Sequence, residues 1–139
     1  MKMPRVVDAN ILLRFLTNDE PNQAAACEAL LLKVETGLEK VFLPDLVIAD
    51  TVWTLEKFYK VGKDKIKELF IPILAAEGLI CADKGLVLSA LAIYSAKNID
   101  WTDAFVAAQM IENEQPEIYS YDHDFDRLPE IKRIEPGRV

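Results

Sequence analysis

The sequence predicts an α/β fold: a single domain over residues 1–139 with a mostly parallel central sheet flanked by helices. Short apolar segments of strand character alternate with longer segments of helical periodicity, and Pro, Gly, Asp or Asn marks most of the junctions. Size agrees. The chain has 139 residues, 51% apolar and 28% charged. A chain of that length buries roughly 68% of its unfolded surface, enough for a core without disulfide staples.

Taken in order, Arg5 to Asp8 reads as a short buried strand, and Asn10 to Phe15 as a brief helix broken at Thr17-Asn18-Asp19-Glu20. Pro21 suits the first turn of a second helix, which ends at Gly37. Val41-Phe42-Leu43 is a strand closed by Pro44, after which Asp45 can cap a helix to about Lys60. Lys63 to Ala75 continues helically, with a kink or division expected at Pro72. Gly78 to Cys81 is a short strand. Asp83 can cap a helix from Lys84 to Lys97, and Asp100 one from Trp101 to about Glu112. Glu117 to Ser120 reads as another strand, and Ile131 to Ile134 as a last edge strand.

The inventory excludes several chemistries. His123 is the sole histidine, and no serine sits in a GxSxG elbow, so histidine zinc sites and the common acyl-transfer triads lack their parts. The five glycines form neither GxGxxG nor GxxxxGK. Cys27 and Cys81 have no metal or disulfide spacing, which suits a reducing, cytoplasmic setting. Met1 to Arg5 leads straight into Val6-Val7-Asp8 without the apolar core of a secretory signal, and no apolar run reaches the ~20 residues of a membrane helix. No membrane partner is therefore expected.

Acids are abundant: 23 Asp and Glu against 16 Lys and Arg give a net charge of −7. A polyanion would not be held by the overall field, so such a substrate calls for cations bound by clustered acids or for a local basic patch. Carboxylates are the hard-oxygen ligands of magnesium and manganese. Asp8, at the carboxyl end of the first strand, faces the mouth of an open sheet or caps the following helix; Asn10 is a candidate for orienting it. Asp122 follows a later strand in the same way and opens the cluster Asp122-His123-Asp124-Phe125-Asp126. That cluster is not an EF-hand loop, since Arg127 and Arg133 stand where glycine and glutamate are required. Asp124 and Asp126 read as caps or solvated acids, and His123 as a surface residue or a phosphate contact. Asp103 sits among Trp101, Ala104, Phe105 and Ala108, where a carboxylate wants a counter-charge. Asp50 lies opposite the stripe Ile48, Val52, Leu55, Tyr59, which permits a solvated acid, while Leu46, Val47 and Trp53 permit a crevice. Glu56 competes with it on the same helix.

The order of these motifs carries more than any one of them. Val6-Val7-Asp8-Ala9-Asn10-Ile11-Leu12-Leu13-Arg14, then Ile48-Ala49-Asp50-Thr51-Val52-Trp53-Thr54-Leu55-Glu56, then Asp100-Trp101-Thr102-Asp103-Ala104, then Tyr121-Asp122-His123-Asp124-Phe125 resembles the PIN-domain nucleases, and among them the VapC-type toxins of prokaryotic toxin–antitoxin pairs. The resemblance implies a metal-dependent endoribonuclease in which Asp8, Asp50, Asp103 and Asp122 surround Mg2+ or Mn2+, with Asn10 orienting the first carboxylate. It also implies an RNA substrate, a homodimer, and a cognate antitoxin with a basic tail. Arg14, Lys57 and Arg127 are candidates for the substrate backbone; Leu12, Phe15 and the second helix are candidates for interface area. One departure stands out: Asp50 occupies a position where the family usually carries glutamate.

Rival readings fare less well. A haloacid-dehalogenase-type phosphotransferase needs a second aspartate where this chain has Asn10, and a receiver-like domain needs an acid pair near its start. The serious alternative is a catalytically weak or inactive binding module on the same fold, with Asp50 marking decay of the site.

Overall fold

The computed structural model describes residues 3–137; Met1 and Lys2, which head the segment read for a leader, lie outside the described residues. The chain forms two compact units, Met1–Lys84 and Gly85–Val139. The α/β class and the parallel strands are as expected, and the ladders form two sheets, β1-β2-β3 and β4-β5.

In the first unit, β1 (Arg5–Val6) pairs in parallel with β2 (Val41–Phe42), and β2 with β3 (Leu79–Ile80). Expected as buried, β1 is an edge strand whose two residues are exposed, and the inward side chain is Val7, one residue later. Helix α1 (Ala9–Thr17) buries Leu12 and Leu13, so Leu12, expected at an interface, belongs to the core. Helix α2 (Pro21–Thr36) starts on Pro21 and stops at Gly37, whose φ of 82° is the left-handed cap a glycine adopts without strain. Helix α3 (Asp45–Lys57) buries Ile48, Val52 and Leu55, the stripe read from periodicity; Pro44 rather than Asp45 is its N-cap. Helix α4 (Lys63–Ala75) runs through Pro72 undivided. Pro72 is exposed and close to the helix end, so water can reach the carbonyl its missing N–H leaves unpaired. Gly78 lies where a Cβ would come 2.1 Å from the Glu39 carbonyl oxygen, so β3 approaches the loop before β2 as only glycine allows.

The second unit begins within helix α5 (Lys84–Lys97) and continues with α6 (Trp101–Glu112), β4 (Glu117–Tyr119), a 3₁₀ turn (His123–Arg127) and β5 (Lys132–Ile134). Strands β4 and β5 pair in parallel, Ile118 opposite Arg133. Buried Tyr94 of α5 meets Trp101 of α6 edge to face at 5.7 Å between ring centroids, which ties the two helices at the end where α6 begins. Both cysteines are free thiols, and no helix among the described residues is long and apolar enough to cross a membrane.

Candidate metal centre

The start of α6 sets the first acid. Asp100 is the N-cap in extended backbone; its side chain makes no capping bond, and its carbonyl accepts the first bond of the helix from Ala104 N–H at 2.9 Å. Trp101, Ala104, Ala107 and Ala108 turn inward and are buried. Helical spacing leaves Asp103 in the first turn at the margin of that apolar face, half-buried, where the helix dipole favours an anion but burial does not.

The second and third acids come from the turn after β4. Asp122 is the N-cap of the 3₁₀ turn: its Oδ1 accepts from Asp124 N–H at 2.9 Å, while its own N–H donates to Ser120 Oγ at 3.0 Å. Phe125 and Leu128 are buried and pin the turn to the core. As a result Asp103, Asp122 and Asp124 each offer one carboxylate oxygen, and these oxygens all lie within 4.8 Å of one another.

Such crowding has a cost that a cation would relieve. Burial first, then a hydrogen bond shared with Asp122, then the negative charges of Asp122, Asp100 and Asp124 push the Asp103 carboxyl up to about 6. Without a cation Asp103 takes up a proton as pH falls through about 6 and then donates it toward Asp122. Three hard oxygen donors converging on one point are the donor set of Mg2+ or Mn2+, so the residues fit such an ion.

Of the four predicted acids, then, the structure brings Asp103 and Asp122 together and adds Asp124, which the sequence reading placed among caps and solvated acids. The D-x-D spacing of Asp122 and Asp124 was the available signal, because a 3₁₀ turn puts both carboxylates of such a pair near its N-terminus. In the first unit, Asp8 is exposed and caps α1, its Oδ1 accepting from Ile11 N–H at 3.3 Å. Asn10 is exposed on the same helix. Asp50 is exposed on α3, in company with Leu46 and Trp53, which are 84% and 61% exposed, so the solvated side of α3 rather than a crevice holds it.

The predicted substrate cations are engaged within the chain. Arg14 donates to Gln23 Oε1 at 2.9 Å and pairs with Asp19 at 3.3 Å; Asp19 also accepts from Tyr59 and Thr17. Lys57 pairs with Glu56 at 2.8 Å. Arg127 donates to the carbonyls of Lys97 and Asn98 at 3.2 and 2.6 Å, capping α5, and pairs with Asp124 at 3.3 Å.

Residues 5–131 match the family model described as the PIN domain, a match that runs through both units. The chain belongs to the PIN-domain family. A curated relative of this PIN domain is the VapC ribonuclease of Aquifex aeolicus (strain VF5), 26% identical over 132 residues that make up 95% of this chain and 96% of that protein. The order of motifs in the sequence resembles the same group of proteins.

Proposed function

We propose that this PIN domain is a divalent-metal-dependent endoribonuclease, the toxin of a type II toxin–antitoxin pair in the cytoplasm, working as one domain over 1–139. The single observation that carries the reading is the convergence of Asp103, Asp122 and Asp124, supported by the likeness to a VapC ribonuclease. These three acids would hold Mg2+ or Mn2+. When bound, the ion supplies positive charge against a phosphodiester and acidifies water for in-line attack. The protein's own contribution is to hold three carboxylate oxygens within 4.8 Å of one another before any RNA arrives, so little reorganisation is needed, and to keep at Asp103 a carboxyl that gains or loses a proton at about pH 6. An ion seated there also offsets the net charge of −7 that a polyanionic RNA meets. Asp8 and Asp50 enter the proposal as catalytic acids by motif order, with Asn10 as the supporting amide.

The proposed partners are RNA, a second copy of the chain, and an antitoxin. Among the described residues, a groove of about 390 Å³ in the first unit has Phe15, Leu69 and Ile73 in its lining together with Glu28, Glu35 and Glu68. Its apolar and acidic lining complements an apolar antitoxin segment flanked by Lys or Arg, with Phe15 and residues of α2 among that lining.

The decisive experiment is cleavage of a mixed RNA substrate with Mg2+ or Mn2+, comparing wild type with Asp103→Asn. Cutting that needs the ion and is lost in the variant is the expected outcome. Equal cutting by both proteins would remove the enzyme claim, and cation binding without any cutting would favour the binding module.

A further inference from the structure

The turn that carries Asp122 and Asp124 is short, exposed on one side, and loaded with like charges, so something must hold it. Asp122, Asp124 and Asp126 repel one another, and backbone hydrogen bonds within the turn do not fix where the turn sits. Arg127, within the turn, ties it to the end of α5, and the side chain that reaches it from β5 is Arg133, 11% exposed. Its Nε donates to Asp126 Oδ1 at 3.1 Å and its Nη2 lies 3.4 Å from Asp126 Oδ2, a two-point hold on the far end of the turn. Its Nη1 donates to the Ser120 carbonyl at 3.2 Å and to Glu135 at 2.9 Å. Nη2 also lies 3.0 Å from His123 Nδ1, which accepts that bond in the tautomer carrying its proton on Nε2 and otherwise donates to Asp126 at 3.1 Å.

We propose that Arg133 is the positioning residue of the acidic centre: its guanidinium grips both ends of the segment from Ser120 to Asp126 and so fixes Asp122 and Asp124 where they meet Asp103. The grip brackets the two acids without touching either. Ser120, held through its carbonyl, in turn accepts from Asp122 N–H through its hydroxyl at 3.0 Å, so the orientation of Arg133 passes to Asp122 through one residue. A planar fork with donors on every edge suits this task, and an ammonium of the same charge cannot reproduce it. The inference rests on the reading that the three acids hold a cation.

The test uses Mn2+ alone as the probe, with the electron paramagnetic resonance signal of free Mn2+ reporting affinity and thermal unfolding without metal reporting the fold. Arg133→Lys keeps the charge and loses the fork; Arg133→Met loses both. Removal of a positive charge near a cation site should by Coulomb's law tighten binding, whereas loss of a positioning residue should weaken it by about tenfold or more. Weaker Mn2+ binding by both variants is expected, with Arg133→Lys unfolding near the wild-type temperature. Wild-type affinity in Arg133→Lys, or tighter binding in Arg133→Met, overturns the assignment. Should Arg133→Met fail to fold, Arg133→Lys decides by itself. Wild-type protein that binds no Mn2+ overturns the acidic centre itself, an outcome distinct from wild type binding and Arg133→Lys binding equally.

Discussion

Asp8 and Asp103 are the same residue type at the same kind of place, the N-terminal end of a helix, and they differ in almost everything else. Asp8 is exposed and its carboxylate caps α1. Asp103 is half-buried and faces two further carboxylates delivered by the turn that follows β4. The lesson is that a helix end does not by itself make an aspartate reactive. Company from a distant part of the chain is what changes its properties, because like charges in partly dehydrated surroundings raise one another's proton affinity, a cost that a cation would relieve.

The largest effect that can break this contrast concerns Asp8. Asn caps a helix about as well as Asp, so Asp8→Asn leaves the fold in place while removing a possible ligand charge. If motif order is right about Asp8, cleavage in this variant falls by about 100-fold, the scale of damage to a metal site's support, while the unfolding temperature stays put. Asp8→Ala would lose the cap as well, costing about 1 kcal/mol of stability. RNA cleavage and thermal unfolding measured side by side separate the two roles. Undiminished cleavage by Asp8→Asn would make Asp8 a helix cap and nothing more.

A smaller effect sharpens the other side of the contrast. An ion must displace the proton that Asp103 holds with a pKa of about 6. Mn2+ affinity should therefore be nearly flat above neutrality and fall by about tenfold between pH 7 and pH 5, as protonation wins the site. Titration of Mn2+ binding across that range checks it, and in Asp103→Asn the break near pH 6 should vanish along with most of the affinity. A wild-type affinity constant down to pH 5 would mean that Asp103 is not among the ligands.

Much of this was legible before the structure. Among the described residues, helical periodicity together with Pro, Gly, Asp or Asn at most of the junctions placed the six α-helices to within a few residues. Burial of β1 was misread, since two residues of Arg-Val do not reveal whether their strand lies at an edge. Asp103 was picked out by a local conflict, a carboxylate among apolar neighbours, and that conflict is real in the fold. Asp124 was passed over because its signal is not periodic: only the 3₁₀ geometry of the turn aims it beside Asp122. The role of Arg133 was invisible for a similar reason. Strand alternation says that a residue points to one face or the other, but not that a guanidinium there grips a turn several residues upstream.

The smallest predicted effect is a stabilisation, and its sign follows from the same crowding. The Asp103 pKa is raised from 3.8 in the unfolded chain to about 6 in the fold, so between those values the native state binds the extra proton. Stability from this group is thus fully present below about pH 4 and is lost as pH rises through about 6. At pH 7, without metal, the fold carries an ionised, partly dehydrated carboxylate beside like charges. Asp103→Asn removes that charge while keeping the shape, and should raise the metal-free unfolding temperature at pH 7 by about 3 °C. At pH 4 the gain should shrink toward zero, because wild-type Asp103 is then neutral as well. Added Mn2+ should reverse the order at pH 7 by stabilising wild type alone. The comparison of the two proteins by calorimetry at both pH values is direct, and a variant less stable than wild type at pH 7 without metal would show that the fold satisfies this carboxylate as an anion, leaving a cation nothing to relieve.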